Sequence, residues 1–254
     1  MPLDISFVRE QRPEGQIHYF STLGSTMTAA AGLAASGAPH GTVVIADEQT
    51  AGVGRFGRQW HSEAGAGIYC SVIMRLKLPS NGLPVVTLLL GLATAEAIQR
   101  ITNLSCDLRW PNDVLVNERK VAGILAQLNE DSIVAGIGIN VNQTSLPENL
   151  RTPATSLRLA AGGRSFARES LLVALLDSLD EFTAMLAEQG PESILRTFTA
   201  ASSYVTHRRI VFEGNQGPNR GVTLGLDDNG FLKVRDESGL VQTIYTGGVR
   251  PDVP

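Results

Sequence analysis

The 254-residue chain contains only two cysteines, Cys70 and Cys106, and neither sits in a Cys-x-x-Cys pair or near a His/Cys cluster. That argues against a disulfide scaffold and against a zinc site. Both thiols read as reduced core residues of a cytosolic protein. A basic surplus is also missing: the formal net charge is −4 and the pI is near 5.6. General nucleic-acid binding needs a basic face, so it is not expected, although arginines gathered in one pocket remain compatible with this balance. Residues 1–11 carry no apolar signal-like run. The longest apolar stretch, residues 83–98, is interrupted by Thr87, Thr94 and Glu96, and it falls short of the roughly 20 residues that span a bilayer. It reads as a buried helix, so the expectation is a cytoplasmic protein with no membrane partner. There is no internal repeat and no low-complexity linker. The histidines, His18, His40, His61 and His207, are dispersed, and none is given a catalytic role.

What is present is a globular composition, 43% hydrophobic and 18% charged, long enough for one substantial core and a small appended domain. Residues 25–35 are alanine-rich and stop at Gly37 before Pro39, which predicts a short helix. Residues 42–46 and 68–76 read as strands, with a glycine-rich loop at 51–67 between them. A helix over 83–101 follows. Residues 114–116 and 121–128 are strands around a polar turn, and 133–141 is a further strand. Helical periodicity returns over 166–187 and ends at Gly190 and Pro191. From Arg209 the pattern becomes short alternating strands with turns at Asp228-Asn229-Gly230 and Ser238-Gly239. The predicted organisation is α+β: a mixed-sheet domain over 1–203 and a small β-barrel over 204–254.

Two segments carry chemistry. In Gln49-Thr-Ala-Gly-Val-Gly-Arg-Phe-Gly-Arg-Gln-Trp60, Gly52, Gly54 and Gly57 match Gly-x-Gly-x-x-Gly. A dinucleotide fold would need a helix directly after the glycines and an acid roughly 20 positions on. The chain continues instead as Trp60-His-Ser-Glu-Ala-Gly-Ala-Gly67, and the acidic position falls near Arg75 and Lys77. No Gly-Lys-Ser/Thr of a phosphate loop is present either. The glycines still let backbone N–H groups approach an anion. Arg55 and Arg58 offer forked donors for carboxylate or phosphate, and Trp60 a flat face for a ring. A solvated surface loop is the plainer alternative. In the second segment, Arg109-Trp-Pro-Asn-Asp113 leads into Arg119-Lys-Val-Ala-Gly-Ile-Leu125. Asn112 and Asp113 stand at a strand entrance, and Lys120 precedes an apolar strand from which it would project into a pocket. Taken alone, Lys120 reads more readily as a solvated hairpin lysine, Ser25 and Thr26 as a helix cap, and Trp110 and Met74 as core packing.

Taken together and in order, Ser25-Thr26, Gly52 to Trp60, Arg109 to Asp113, Arg119 to Leu125 and Gly136 to Asn140 resemble the motifs of the biotin protein ligases over nearly the whole chain. The resemblance implies a core like that of class II aminoacyl-tRNA synthetases, with a small barrel of the Src-homology-three type behind it. It implies ATP-dependent formation of biotinyl-adenylate with a magnesium ion, then transfer of biotin to a lysine of a biotin carboxyl carrier domain. By position it assigns Ser25, Thr26, Met27 and Gln49 to biotin, with Gly123 letting the backbone lie close to it. Gly52, Val53, Gly54 and Arg55 become the loop that closes over biotin and the intermediate. Arg58, Trp60, Asn112 and Asn140 face the nucleotide. Lys120 contacts carboxylate and phosphate oxygens, Arg55 shares that charge, and Asp113 orients the attacking amine. Two positions depart from the family: Val53 replaces an arginine, and Arg109 a more usual lysine. Only 24 residues precede Ser25, too few for the helix-turn-helix module of the family's repressors, so no specific DNA binding is expected. The resemblance also implies a homodimer through an exposed sheet edge. The rival readings are a lipoate or octanoate ligase or transferase, and a non-catalytic biotin sensor.

Overall fold

A computed structural model describes residues 2–79, 81–147, 150, 152–214 and 217–252. Helix α1 (Ile5–Gln11) is capped by Asp4, whose Oδ1 accepts from the N–H groups of Ser6 and Phe7 at 3.1 Å each. Strand β1 (Ile17–Leu23), helix α2 (Thr26–Ala35) and strand β2 (Val43–Gln49) follow. After a single 3₁₀ turn, Arg55–Gly57, come β3 (Gly67–Met74), α3 (Leu83–Thr102), β4 (Asp107–Arg109), β5 (Asp113–Val116), β6 (Arg119–Asn129) and β7 (Ser132–Asn140). Three helices, α4 (Leu157–Ala160), α5 (Arg168–Gln189) and α6 (Pro191–Ala201), complete the first part. The first seven strands form one mixed sheet in the order β1-β2-β3-β7-β6-β5-β4, with β1 and β2 parallel and the remaining neighbours antiparallel.

The sheet buries its faces unequally. Ile68, Cys70, Val72, Ile133, Ala135, Ile137, Ile139, Ala122 and Ile124 join the large core built with α3, α5 and α6. The opposite face carries a smaller cluster, in which Met27, Ala30 and Ala34 of α2 meet Val44, Ile73 and Val134. Helix α3 has the length and apolarity to cross a membrane. Here it is a core helix, with Leu88, Leu89, Leu90 and Ile98 fully buried. Pro84 starts it, where a missing N–H costs nothing, and Asn103 in the left-handed region ends it.

The C-terminal residues form a second, antiparallel sheet from β8 (Thr206–Gly214), β9 (Gly217–Leu226), β10 (Leu232–Asp236), β11 (Val241–Ile244) and β12 (Val249–Pro251), in the order β11-β10-β9-β8-β12. The end strands β11 and β12 share no ladder among the described residues. The turn between β9 and β10 is closed by Asp227, whose Oδ1 accepts from Asn229 N and Phe231 N. That turn seats on the first sheet: Trp110, 3% exposed, donates its indole N–H to the Gly230 carbonyl at 2.9 Å. Trp110 and Met74 are therefore core residues, as their plainer reading had it. The sequence gives no clear signal for α1, β1, α4 or α6.

Candidate active site

On the face of β6 and β7 turned away from the large core, three positions are glycine. Gly123 and Gly138 are register partners, and Gly136 pairs with Leu125. A side chain at these positions would collide with what lies above. A Cβ on Gly136 would come to 2.6 Å from Met27 Sδ, and one on Gly123 to 2.8 Å from Trp60 Cζ3. The indole of Trp60 thus lies flat against the backbone of two strands. This close approach is what glycine permits in a strand. Trp60 reaches this place because the loop from Gly52 to Trp60 doubles back on itself. Gly54 N donates to Arg58 O at 2.6 Å, Trp60 N donates to Gly52 O at 2.8 Å, and Val53 bridges Gln59. At the loop tip Phe56 is exposed, flanked by the guanidinium groups of Arg55 and Arg58 at 4.9 and 5.6 Å from its ring centre.

Two cavities meet at this loop. The narrower, with about 440 Å³ of empty space, runs between the N-terminal end of α2 and the glycine face, past Thr26, Met27, Gln49, Gly123, Gly136 and Gly138. The wider, about 1780 Å³, opens between the two sheets, past Arg58, Arg109, Asp113, Asn140, Gly247 and Arg250. Gly54, Arg55, Trp60, Asn112 and Lys120 line both.

The polar groups of the narrow cleft are held in a chain. Gln49 Oε1 accepts from Thr26 N and Thr26 Oγ1, while Gln49 Nε2 donates to Ser62 Oγ at 2.8 Å. Ser71 Oγ donates to Thr26 Oγ1 at 2.9 Å. Ser25 occupies the N-cap position of α2 but makes no capping bond, and its buried Oγ finds no partner among the described residues. The Trp60 Nε1 is likewise buried without an acceptor among them. Buried donors left unpaired are costly, so two of them beside one cleft mark a place suited to a polar ligand.

At the junction the charges are dense. Lys120 Nζ contacts Asp113 Oδ1 and stands 5.4 Å from the Trp60 ring centre. Arg109 donates to Asp113 Oδ2 at 2.6 Å. Burial works to raise the Asp113 carboxyl, but the charges of Lys120 and Arg109 outweigh it and hold the group below the ordinary carboxylate value. Arg55, half-buried, donates to Asn112 Oδ1 at 3.0 Å and to the Gly247 carbonyl at 2.7 Å. Its pKa is lowered chiefly by burial. Asn112 is fixed in turn by donating to Ile124 O at 2.8 Å. Asn140 borders the wide cavity with its amide donated to Thr155 O.

The structure therefore gathers Thr26, Met27, Gln49, Val53, Gly54, Arg55, Arg58, Trp60, Asn112, Asp113, Lys120, Gly123 and Asn140 around the two cavities. Ser25 and Gly52 lie just behind this lining. The sequence places Gly136 and Gly138 in a motif without giving either a role at the site, and it does not point to Ser62, Ser71, Thr152 or the C-terminal stretch at Gly247. A signal existed for the first two, since glycines two apart inside an apolar strand share one face. The others come near only through the fold. Among the described residues no three His, Cys, Asp or Glu side chains gather to hold a metal ion. The two cysteines make poor nucleophiles: burial pushes each thiol up to about 12.

The model of the Biotin/lipoate A/B protein ligase family matches residues 19–143. The bifunctional ligase/repressor BirA of Bacillus subtilis is 35% identical over 240 residues, covering 91% of this chain and 72% of that protein. The biotin--[acetyl-CoA-carboxylase] ligase of Mycobacterium tuberculosis is 33% identical over 259 residues, covering 98% of this chain and 95% of that protein. Among solved structures, the biotin protein ligase of Aquifex aeolicus in complex with biotin and ATP superposes with a TM-score of 0.81 at 31% identity, over 92% of this chain and 97% of that one. Two adjoining cavities with a lysine and an arginine at their junction, and likeness over nearly the full length to ligases, lead to one assignment: the chain belongs to the biotin protein ligase family.

Proposed function

We propose that this protein is an ATP-dependent biotin protein ligase, which forms biotinyl-adenylate and transfers biotin to a lysine of a biotin carboxyl carrier domain. The observation that carries the mechanism is the shared wall of the two cavities, where Arg55, Asn112 and Lys120 face both. We place biotin in the narrow cleft, beside the Met27 and Trp60 side chains that rest on Gly136, Gly123 and Gly138, with its ring polar groups near Ser25, Thr26 and Gln49 and its carboxylate at Lys120. The nucleotide takes the wide cavity, near Arg58, Trp60, Asn112 and Asn140.

A biotin carboxylate oxygen attacks the α-phosphorus of ATP. The bond to the bridging oxygen breaks, and pyrophosphate leaves. Lys120 and Arg55 offset the charge that builds on the phosphate oxygens. The loop from Gly52 to Trp60, with Val53 at its rim, closes over the mixed anhydride and keeps water away. In the second step the acceptor amine, arriving neutral, forms a bond to the acyl carbon, the acyl–oxygen bond breaks, AMP leaves with its electron pair, and the proton lost from the nitrogen passes to water. Asp113 orients that amine through Oδ1 once Lys120 has moved onto the phosphate. Magnesium tends to arrive on nucleotide phosphates, with few protein ligands. Among the described residues the carboxylates lining the wide cavity are Asp113, engaged by two cations, and Glu213, which faces Arg250, so these residues fit an ion brought by ATP better than a resident one.

The finer architecture and partners belong to the same proposal. We divide the chain at 203/204 into a class II synthetase-like core and a small C-terminal barrel. We place it in the cytoplasm, without nucleic-acid or membrane partners. Strand β1, with Phe20 exposed, offers an open edge for a homodimer. An acyl transferase working through a cysteine thioester is disfavoured by the two buried, hard-to-ionise thiols. The test is incubation with ATP, biotin and a carrier domain, followed by intact mass. A single biotin on the acceptor lysine is expected. Adenylate formation without transfer would place the protein among sensors instead.

A further inference from the structure

We infer that Arg109 is a positioning residue for Lys120: it acts on both ends of that lysine, and by taking the other oxygen of Asp113 it weakens that carboxylate's hold on the ammonium, so that Lys120 is released readily to the reacting phosphate. The inference rests on the adenylation reading above.

Arg109 ends β4 directly opposite Asp113 in the β4–β5 register, and it is 4% exposed. A guanidinium is rarely buried so deeply without a demanding set of partners. Here one terminal nitrogen, Nη2, serves two acceptors, Asp113 Oδ2 at 2.6 Å and Thr152 Oγ1 at 3.1 Å.

The first acceptor governs the side-chain end of Lys120. Asp113 divides its two oxygens between Arg109 and Lys120. Two cations share one carboxylate, so the group keeps a net positive charge in a poorly solvated place, where Coulomb forces are weakly screened. An incoming phosphate meets that positive charge. Without Arg109 the remaining pair is neutral, and the phosphate must compete with a whole carboxylate for the ammonium.

The second acceptor governs the backbone end. Thr152 begins a short segment whose main chain grips Lys120 from both sides. Lys120 N donates to Pro153 O at 2.8 Å, and Thr155 N donates to Lys120 O at 2.9 Å. Arg119 Nε adds a bond to Ala154 O at 3.1 Å. By holding Thr152, Arg109 fixes the strap that fixes Lys120. A lysine at 109 would keep the charge, but on a flexible stem with a compact head.

The test is biotin-dependent pyrophosphate–ATP exchange, with biotin and ATP each varied, for the wild type, R109M, R109K, T152V, D113N and the double variant R109M/D113N. Misplacing a catalytic cation slows chemistry steeply, so R109M is expected to lower kcat about 10- to 100-fold. The KM for biotin should stay within about twofold, because the narrow cleft is untouched. R109K should recover part of the loss, and T152V should lose less than R109M. With Asp113 neutralised, Lys120 has no carboxylate to close on, so R109M should cost less in the D113N background than in the wild type.

A merely structural role would lower Tm while leaving kcat per folded enzyme unchanged. That result overturns the inference, as does full additivity of R109M and D113N. If R109M does not fold, R109K and T152V carry the same contrast: wild-type kcat in both removes Arg109 from the machinery. A silent wild type is a different failure. It sinks the adenylation reading and this inference with it, whereas an active wild type with indifferent variants sinks this inference alone.

Discussion

Gly138 and Ile139 are neighbours on β7, and they point to opposite faces of the same sheet. Ile139 is fully buried against the large helical core, between Ile68 of β3 and Ala122 of β6. Gly138 lies between Tyr69 and Gly123 in the same ladders, with the Trp60 indole pressed on it. The period of two that governs a strand thus divides labour along one short sequence. One face spends its side chains on apolar burial. The other removes side chains, so that Met27 and Trp60 can rest on the backbone beside the cleft. The difference teaches where function can be altered without unfolding the protein, and where it cannot.

The sharpest break of that comparison lies at the edge of the glycine face. Lys120→Ala removes one of the two cations that line both cavities, and adenylate formation should fall by about 100- to 1000-fold with little change in Tm. Single-turnover formation of biotinyl-adenylate reads it directly. On the other face, Ile139→Ala should cost about 2–5 kcal/mol of stability, measured by denaturant unfolding, while the KM for biotin of the folded fraction stays unchanged. A change in biotin KM without loss of stability would show that the two faces are not separate. Gly138→Ala should do the reverse. Its Cβ would stand 2.5 Å from Trp60 Nε1, so the indole must lift and the biotin KM should rise by about tenfold, with Tm nearly kept.

A pH measurement sharpens the same point. Asp113 is held below the ordinary carboxylate value by Lys120 and Arg109, against the opposing pull of burial. A depressed folded-state value means that its ion pairs contribute fully above the unfolded carboxylate range. They are lost only as the pH falls through the lower folded value. The acid limb of stability belonging to Asp113 should therefore lie below the ordinary range, and Asp113→Asn should abolish it. The smallest effect expected is at Val53, which is 42% exposed at the rim of the narrow cleft. Val53→Arg restores the family's charge beside the anhydride, and at an exposed site this should slow release of biotinyl-adenylate by about two- to fivefold. Nothing in the structure explains why valine stands there.

Much of the fold was legible because its signals are local. The alanine-rich α2 with Gly37 behind it, the apolar α3, the fully buried β3 and the hairpin turns after Leu226 all follow from composition and period. What escaped was short or lacked contrast. Strand β1 reads Ile-His-Tyr-Phe-Ser-Thr-Leu, without alternation, and lies at an edge. Helix α6 begins at the very proline that reads in sequence as the end of α5, because Pro191 suits the first turn of a helix as well as it suits a stop. The site was legible as ordered motifs, which placed Lys120, Arg55 and Asn112 in one region. Their partners were not, since Arg55 bonds to Gly247 and Arg109 to Thr152 across long sequence separations. No spacing rule within a single chain pairs a loop arginine with a carbonyl in another sheet.

Everything above turns on biotin being activated by ATP at the junction of the two cavities. Biotin-dependent exchange of labelled pyrophosphate into ATP tests it most directly, with lipoate and octanoate as controls. Exchange is expected with biotin alone, and it should be lost in Lys120→Ala. Exchange with lipoate or octanoate but not biotin, or exchange undiminished without Lys120, would contradict it.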